Sequence, residues 1–215
     1  MREEQQTEVL IVGVGGLGNA MVNEALERGL QVSVMVRDEA KSRARLGEET
    51  AARLKNVIIG DATDPASLDR AMQGVDVVLS GKGAHLEMAR AMAHAVKRNG
   101  VQKLCWPAGG MNLMAEDGVT PVYLSYVDRM PGAEALYRSH QVCIDAIREA
   151  GINYMVFCPG FMSAHGRRSA DVRSTVRINR EAGMSVSYED AAWVMLEAAV
   201  TDTYDGQLVS AATPE

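Results

Sequence analysis

Polar and apolar positions follow two rhythms along this chain. Val9 to Val12 is an unbroken apolar run, too short for a helix and closed by Gly13, which predicts a buried strand. Met21, Val22, Ala25 and Leu26 then recur at helical intervals until Gly29 stops them, and Val32, Val34 and Val36 make a second strand. A polar helical stretch is expected over Glu39 to Leu54, with a strand at Val57, Ile58 and Ile59. Asp64-Pro65 reads as an N-cap with proline in the first helical position, opening a short helix that closes at Gly74. Val75 to Leu79 predicts the fourth strand, His85 to Arg98 a helix stopped by Gly100, and Lys103 to Trp106 the fifth strand. Residues 111 to 132 form a long irregular connection, a length that marks function or disorder in a compact domain. A strong helix from Glu134 to Ala150, capped by Gly151, precedes a strand from Tyr154 to Cys158. Residues 161 to 184 read as irregular and basic. Ser187-Tyr188-Glu189-Asp190 then has the form of a capping box for a helix carrying Trp193, Leu196 and Val200, and a short strand around Leu208 ends the pattern.

Strands that alternate with helices in this way predict an α/β protein built on a doubly wound parallel sheet. The 215 residues suffice for one such domain, expected over residues 1–215, with a small C-terminal portion on the substrate side. Ligands of such sheets bind beyond the carboxyl ends of the strands, which selects residues 13–18, 37–38, 60–62, 80–83, 107–111 and 158–162 for chemical reading. The first of these is G-x-G-x-x-G: Gly13, Gly15 and Gly18 between a strand and a helix, with Gly16 and Leu17 inside the turn. Glycine lets the backbone approach a pyrophosphate, and the helix start offers that anion unpaired N–H groups and positive dipole charge. The second strand ends in Arg37-Asp38. A carboxylate there would accept a ribose 2′-hydroxyl, whereas an arginine's planar fork accommodates a 2′-phosphate. With Arg37 first, and Lys41, Arg43 and Arg45 close behind, NADP(H) is the favoured cofactor. Asp38 is the rival, one register step away, and these basic residues also read as the solvated start of a helix.

Composition removes several alternatives. Apolar residues make up 47% of the chain, which excludes a disordered polymer, and the net charge of −6 argues against nucleic acid as a partner. No apolar run approaches the ~20 residues needed to span a bilayer, and the opening MREEQQTE lacks the form of a signal peptide. Three cysteines without a pairing pattern suit a reducing cytoplasm, and the four histidines show no metal-ligand spacing. The expected partner is a small-molecule substrate, taken up by a monomer or a homodimer.

The segments GVGGLG, VRD, GDATD, VLSGKG, NGVQKL, REAGINYMVFCPG and TDTYDGQLV, in this order across nearly the whole chain, resemble the atypical, extended short-chain dehydrogenases. Within them the chain is most similar to the NAD(P)H-binding, NmrA-like proteins of the biliverdin-IXβ and flavin reductase type. The resemblance implies a Rossmann fold, NADPH, and a substrate pocket made by the loops after strands four, five and six. By position it implies that Arg37 holds the 2′-phosphate and that Asp61 and Ala62 lie along the adenine. It likewise places Ser80, Gly81, Lys82 and Gly83 near the ribose and nicotinamide, with Pro159, Gly160 and Phe161 against the nicotinamide ring. Three departures stand out. The glycine turn is one residue shorter than the usual G-x-x-G-x-x-G. A serine or threonine normally ends the fifth strand, where this chain has Trp106-Pro107-Ala108-Gly109-Gly110. No lysine follows Lys103, so the Tyr-x-x-x-Lys pair of typical members is missing.

With that pair missing, His140 is the best-placed titratable group. Its spacing with Leu136, Cys143, Ile144 and Ile147 puts it on the inward helix face, as a contact to substrate or as a hydrogen-bonded core residue. Tyr123 and Tyr126 on the long loop can reach back toward a pocket, whereas Tyr137 points elsewhere. Arg167, Arg168, Arg173, Arg177 and Arg180 would attract an anionic acceptor if they gather at the site, or else form a solvated face. Trp106, Met111, Met114 and Met162 are expected to line an apolar pocket for a flat ring. The function these residues support is hydride transfer from NADPH to a flat, possibly anionic acceptor resembling a flavin, quinone or tetrapyrrole. The rival is a sensor that binds NADP(H) without turnover.

Overall fold

The computed structural model describes residues 6–214, so most of the MREEQQTE opening lies outside the described residues. The chain begins β1 (Glu8–Val12), α1 (Gly16–Glu27), β2 (Gln31–Val36), α2 (Glu39–Leu46), α3 (Glu48–Ala52), β3 (Asn56–Ile59), α4 (Pro65–Ala71) and β4 (Val77–Ser80). It continues with α5 (Leu86–Asn99), β5 (Lys103–Pro107), two 3-10 turns at Gly110–Asn112 and Val122–Ser125, α6 (Ala133–Glu149) and β6 (Tyr154–Phe157). The remainder is β7 (Phe161–Ser163), α7 (Val172–Thr175), β8 (Arg177–Ile178), β9 (Ser185–Ser187), α8 (Tyr188–Val200) and β10 (Leu208–Ser210).

Eight strands form one sheet in the order β3-β2-β1-β4-β5-β6-β10-β8. Every pairing is parallel except that of β8 with β10. The strand order reverses between β1 and β4, the switch point at which a doubly wound sheet opens its ligand crevice. Alternation along each strand feeds two cores. In β1, Val9 and Ile11 pack with residues of α1 and α8, while Leu10 and Val12 pack with residues of α4, α5 and α6. The same rule governs β5: Leu104 and Trp106 face the second core, and Cys105 faces the first. Lys103 is buried at the start of β5. Its ammonium donates to the carbonyls of Ala198 (2.9 Å) and Thr201 (2.6 Å) and pairs with Asp205, fastening the end of α8 to the sheet.

Four expectations need correction. The helix read over Glu39 to Leu54 is two helices, because Gly47 adopts φ +81° and breaks it. Residues 161 to 184 are not irregular throughout: β7 pairs with β9 in a separate two-stranded sheet, α7 follows, and β8 joins the main sheet. Only half of the capping box forms. The Ser187 hydroxyl accepts from Asp190 N–H (3.0 Å), but the buried Asp190 carboxylate accepts from the N–H and hydroxyl of Ser169 (2.7 and 2.9 Å). The Ser187 N–H goes instead to Thr213 Oγ1 (2.7 Å). Trp106 is fully buried in the second core and lines neither cavity at the strand ends.

Candidate cofactor and acceptor site

Two cavities lie at the carboxyl ends of the strands, and they meet at Gly81, which lines both. The larger, about 630 Å³, runs over the ends of β1, β2 and β3, from Gly13, Val14 and Gly15 to Arg37 and Asp38 and on to Asp61 and Ala62. The second, about 380 Å³, lies over the ends of β4, β5 and β6, between Leu17 on one side and His140 and Pro159 to Phe161 on the other.

Close packing of glycines builds the junction. Gly13 adopts φ +86° and donates its N–H to Met35 O (2.9 Å). A Cβ on Gly18 would lie 1.9 Å from Gly13 O, and one on Gly81 would lie 2.2 Å from the same oxygen. Only glycine therefore lets α1 and the turn after β4 close on the turn after β1. Gly15 is the N-cap of α1, and neither a side-chain cap nor an acidic residue occupies that first turn. Side-chain caps from Asp38, Asp64, His85 and Ser187 begin α2, α4, α5 and α8, whereas α1, like α3, α6 and α7, has none. The N–H groups of Gly16, Leu17 and Gly18 are left for an anion. The ring of Tyr188 covers Gly16, where an added Cβ would meet it at 2.6 Å.

In the larger cavity Arg37 is exposed and has no ion pair among the described residues. Asp38, by contrast, is engaged: its carboxylate accepts from Lys41 N–H at 3.0 Å as the cap of α2. Lys41 and Arg45 also line this cavity, and Arg45 lies 3.9 Å from the position of a Cβ on Gly15. Asp61 accepts from the N–H and hydroxyl of Thr63, both at 2.8 Å, and these bonds hold its carboxyl below the usual range. Lys82 is exposed at the rim. Ser80 is fully buried and lines neither cavity; its hydroxyl donates to Lys82 O (2.7 Å), which shapes the turn.

The smaller cavity is apolar. Met111, Met130, Met162 and Met184 line it with Leu136, Val122 and Tyr126. Met114 does not; it bridges to Pro121 and Arg180. Tyr123 stacks on Tyr137 at 4.2 Å and stays outside. His140 is half-buried, and its Nδ1 finds no partner among the described residues. Burial holds the imidazole below its ordinary pKa, so it is neutral at pH 7. A Cβ on Gly109 would lie 3.0 Å from the His140 ring, and one on Gly83 would lie 3.4 Å from it. The glycine that replaces the usual serine or threonine after β5 is thus what admits the histidine. Asn112 holds this bend to α6 by donating to Tyr137 O (3.2 Å) and Gln141 Oε1 (3.1 Å). Ala84, also lining the cavity, adopts φ +51°, a strained backbone of the kind that concentrates in binding sites.

The five arginines expected to gather do not. Arg167 and Arg168 line a separate polar cleft beyond Gly16. Arg173 lies over the Trp193 ring and pairs with Glu197 at 2.6 Å, Arg177 donates to the carbonyls of Ser174 and Val176, and Arg180 lies against Gly118. The structure therefore corrects the expectation of a basic patch at the smaller cavity. Met130, Met184 and Glu181 were not apparent from sequence, because packing of the long loop and of the β8–β9 connection brings them in. No sequence spacing marks them. Among the described residues no group of three or more His, Cys, Asp or Glu is arranged to hold a metal ion, and no helix is long and apolar enough to cross a membrane.

A sheet with this switch point, an uncapped helix start behind a glycine turn, and a cavity on either side define a dinucleotide-binding protein. The chain belongs to the NAD(P)H-binding family, whose profile matches residues 13–202. Over 187 residues it is 28% identical to the photosystem II assembly factor Ycf39 of Cyanophora paradoxa, an alignment covering 85% of this chain. The chain spans about half (55%) of that relative's length. The fold is shared with a wide-type short-chain dehydrogenase/reductase from Veillonella parvula in complex with NADP (TM-score 0.74, 17% identity, 97% of this chain and 95% of that one). It is also shared with the anaerobilin reductase ChuY of Escherichia coli O157:H7 (TM-score 0.73, 17% identity, 97% and 98%).

Proposed function

We propose that this chain is an NADPH-dependent reductase acting on a flat acceptor of the flavin, quinone or tetrapyrrole-like kind. The observation that carries this reading is the junction at Gly81, where a cavity bordered by Arg37, Lys41 and Arg45 meets an apolar one across an uncapped helix start. When bound, the dinucleotide supplies a hydride (two electrons with one proton), and the acceptor takes a second proton from solvent. The chain's own contribution is positioning. Arg37, exposed and without an ion pair among the described residues, receives the 2′-phosphate, with Lys41 and Arg45 adding to the local field. Asp38 is spent on capping α2, which weakens it as a ribose ligand. The N–H groups of Gly16, Leu17 and Gly18 take the diphosphate, and Asp61 and Ala62 border the adenine. Pro159, Gly160 and Phe161 bound the nicotinamide. His140, neutral and with an unsatisfied ring nitrogen, makes a hydrogen bond to a heteroatom of the acceptor; leaving such an atom unpaired costs about 1–3 kcal/mol.

The test is to mix protein with NADPH and one of several flavins or quinones and follow the reduced-nicotinamide absorbance. Oxidation of NADPH that is lost or reduced in His140→Ala supports the reading. A second reading, an NADP(H)-binding sensor without turnover, is favoured by the missing Tyr-x-x-x-Lys pair and by the similarity to an assembly factor. Tight NADPH binding with no oxidation by any acceptor would establish that alternative in place of the first.

A further inference from the structure

The lining of the acceptor cavity has a charge pattern that the reductase reading does not by itself require. Among the described residues no lysine or arginine lines this cavity, and the one acidic residue that does is Glu181, exposed to solvent at its edge. Its neighbour Arg180 offers no compensation, because its guanidinium lies against Gly118, beside the Asp117 carboxylate. The remaining polar side chains are the neutral His140, the Tyr126 hydroxyl, directed at Met184 Sδ (3.5 Å), and the Ser210 hydroxyl, which donates to Arg180 O. At the mouth, Phe161 is 71% exposed and Met184 63% exposed, and both also line the cavity. The apolar surface thus runs from the interior out to the rim, with a single negative charge in the wall.

We propose that Glu181 is a specificity-determining residue that rejects anionic acceptors, so the site selects an uncharged flat ring with an apolar substituent seated on Phe161 and Met184. The inference rests on the reductase reading. An anionic group brought within about 7 Å of a carboxylate in a partly solvated wall, at an effective dielectric constant of about 40, is disfavoured about tenfold. The carboxylate in such a position costs nothing toward a neutral ring, so the penalty appears as discrimination.

Riboflavin and FMN carry the same ring and differ by a phosphate, so they isolate the charge. Binding of each to the protein saturated with NADP+ is read by quenching of flavin fluorescence, and NADPH oxidation is measured with the same pair. The expected result is about tenfold tighter binding of riboflavin. In Glu181→Gln the preference should fall to within about threefold, and in Glu181→Lys it should reverse, with thermal melts confirming that both variants fold. FMN binding as tightly as riboflavin in the unmodified protein, or a preference unchanged in both variants, overturns the proposal even if NADPH is oxidised. If neither flavin binds, the acceptor-site reading falls, and the charge discrimination with it.

Discussion

Replacing Gly18 with alanine probes the joint on which the whole site turns. The added Cβ would stand 1.9 Å from Gly13 O, 1.5 Å short of the 3.4 Å at which ordinary contact begins. The obstacle is backbone, not the movable end of a side chain. Alanine raises helix propensity by about 1 kcal/mol, but overpacking against fixed backbone costs about 3 kcal/mol. The net loss is about 2 kcal/mol, which for a chain of this length lowers Tm by roughly 4–8 °C. The displaced turn carries the N–H groups of Gly16 and Leu17 with it, so NADPH affinity should fall at least about tenfold. Thermal melts and NADPH fluorescence titration measure both effects. Gly100→Ala is the control, since Gly100 has open space around it, adopts φ +67° and lines neither cavity. It should lose about 1 kcal/mol of stability and no affinity. Gly18→Ala with unaltered melting and unaltered affinity would refute the close-packed glycine joint.

Other expectations follow from single residues. Arg37→Ala should weaken NADPH by about tenfold or more and leave NADH nearly unchanged in a side-by-side titration; equal losses contradict the 2′-phosphate assignment. Burial disfavours the His140 imidazolium in the folded state, so the unfolded chain binds more protons as pH falls through the ordinary histidine range. Its contribution is therefore fully present above about pH 6.5 and is lost below it, and urea midpoints of His140→Gln should fall less between pH 7 and 5 than those of the unmodified protein. Lys103→Met strips the Ala198 and Thr201 carbonyls and Asp205 of their shared donor; urea denaturation should show a loss of about 3 kcal/mol, and a loss under about 1 kcal/mol would contradict a structural role for this lysine.

The parts of the fold that were legible in sequence are those where local pattern and tertiary burial agree. The apolar run of β1 and the alternation of β2 place both strands, and Asp64-Pro65 places the start of α4. The break at Gly47 was hidden because polar residues on both sides continue a helical rhythm, and only a left-handed φ interrupts it. The strands β7, β8 and β9, two or three residues each, owe their existence to partners distant in the chain, so no local signal marks them. Period-two alternation in β5 was enough to put Trp106 beside Leu104 in the core, and reading it as a pocket residue passed over that rule. Helical spacing is local, and it suffices to put His140 on the inward face of α6, where it lines the smaller cavity. What could not be read is the reason it fits: Gly109 and Gly83 come from other segments and leave room for its ring.

Direct calorimetric titration of the purified chain with NADPH and with NADH bears most immediately on the central claim. A glycine joint at Gly13, Gly18 and Gly81 with Arg37 exposed beside it predicts saturable binding of both dinucleotides, with NADPH the tighter. No heat of binding with either would contradict the account at its foundation.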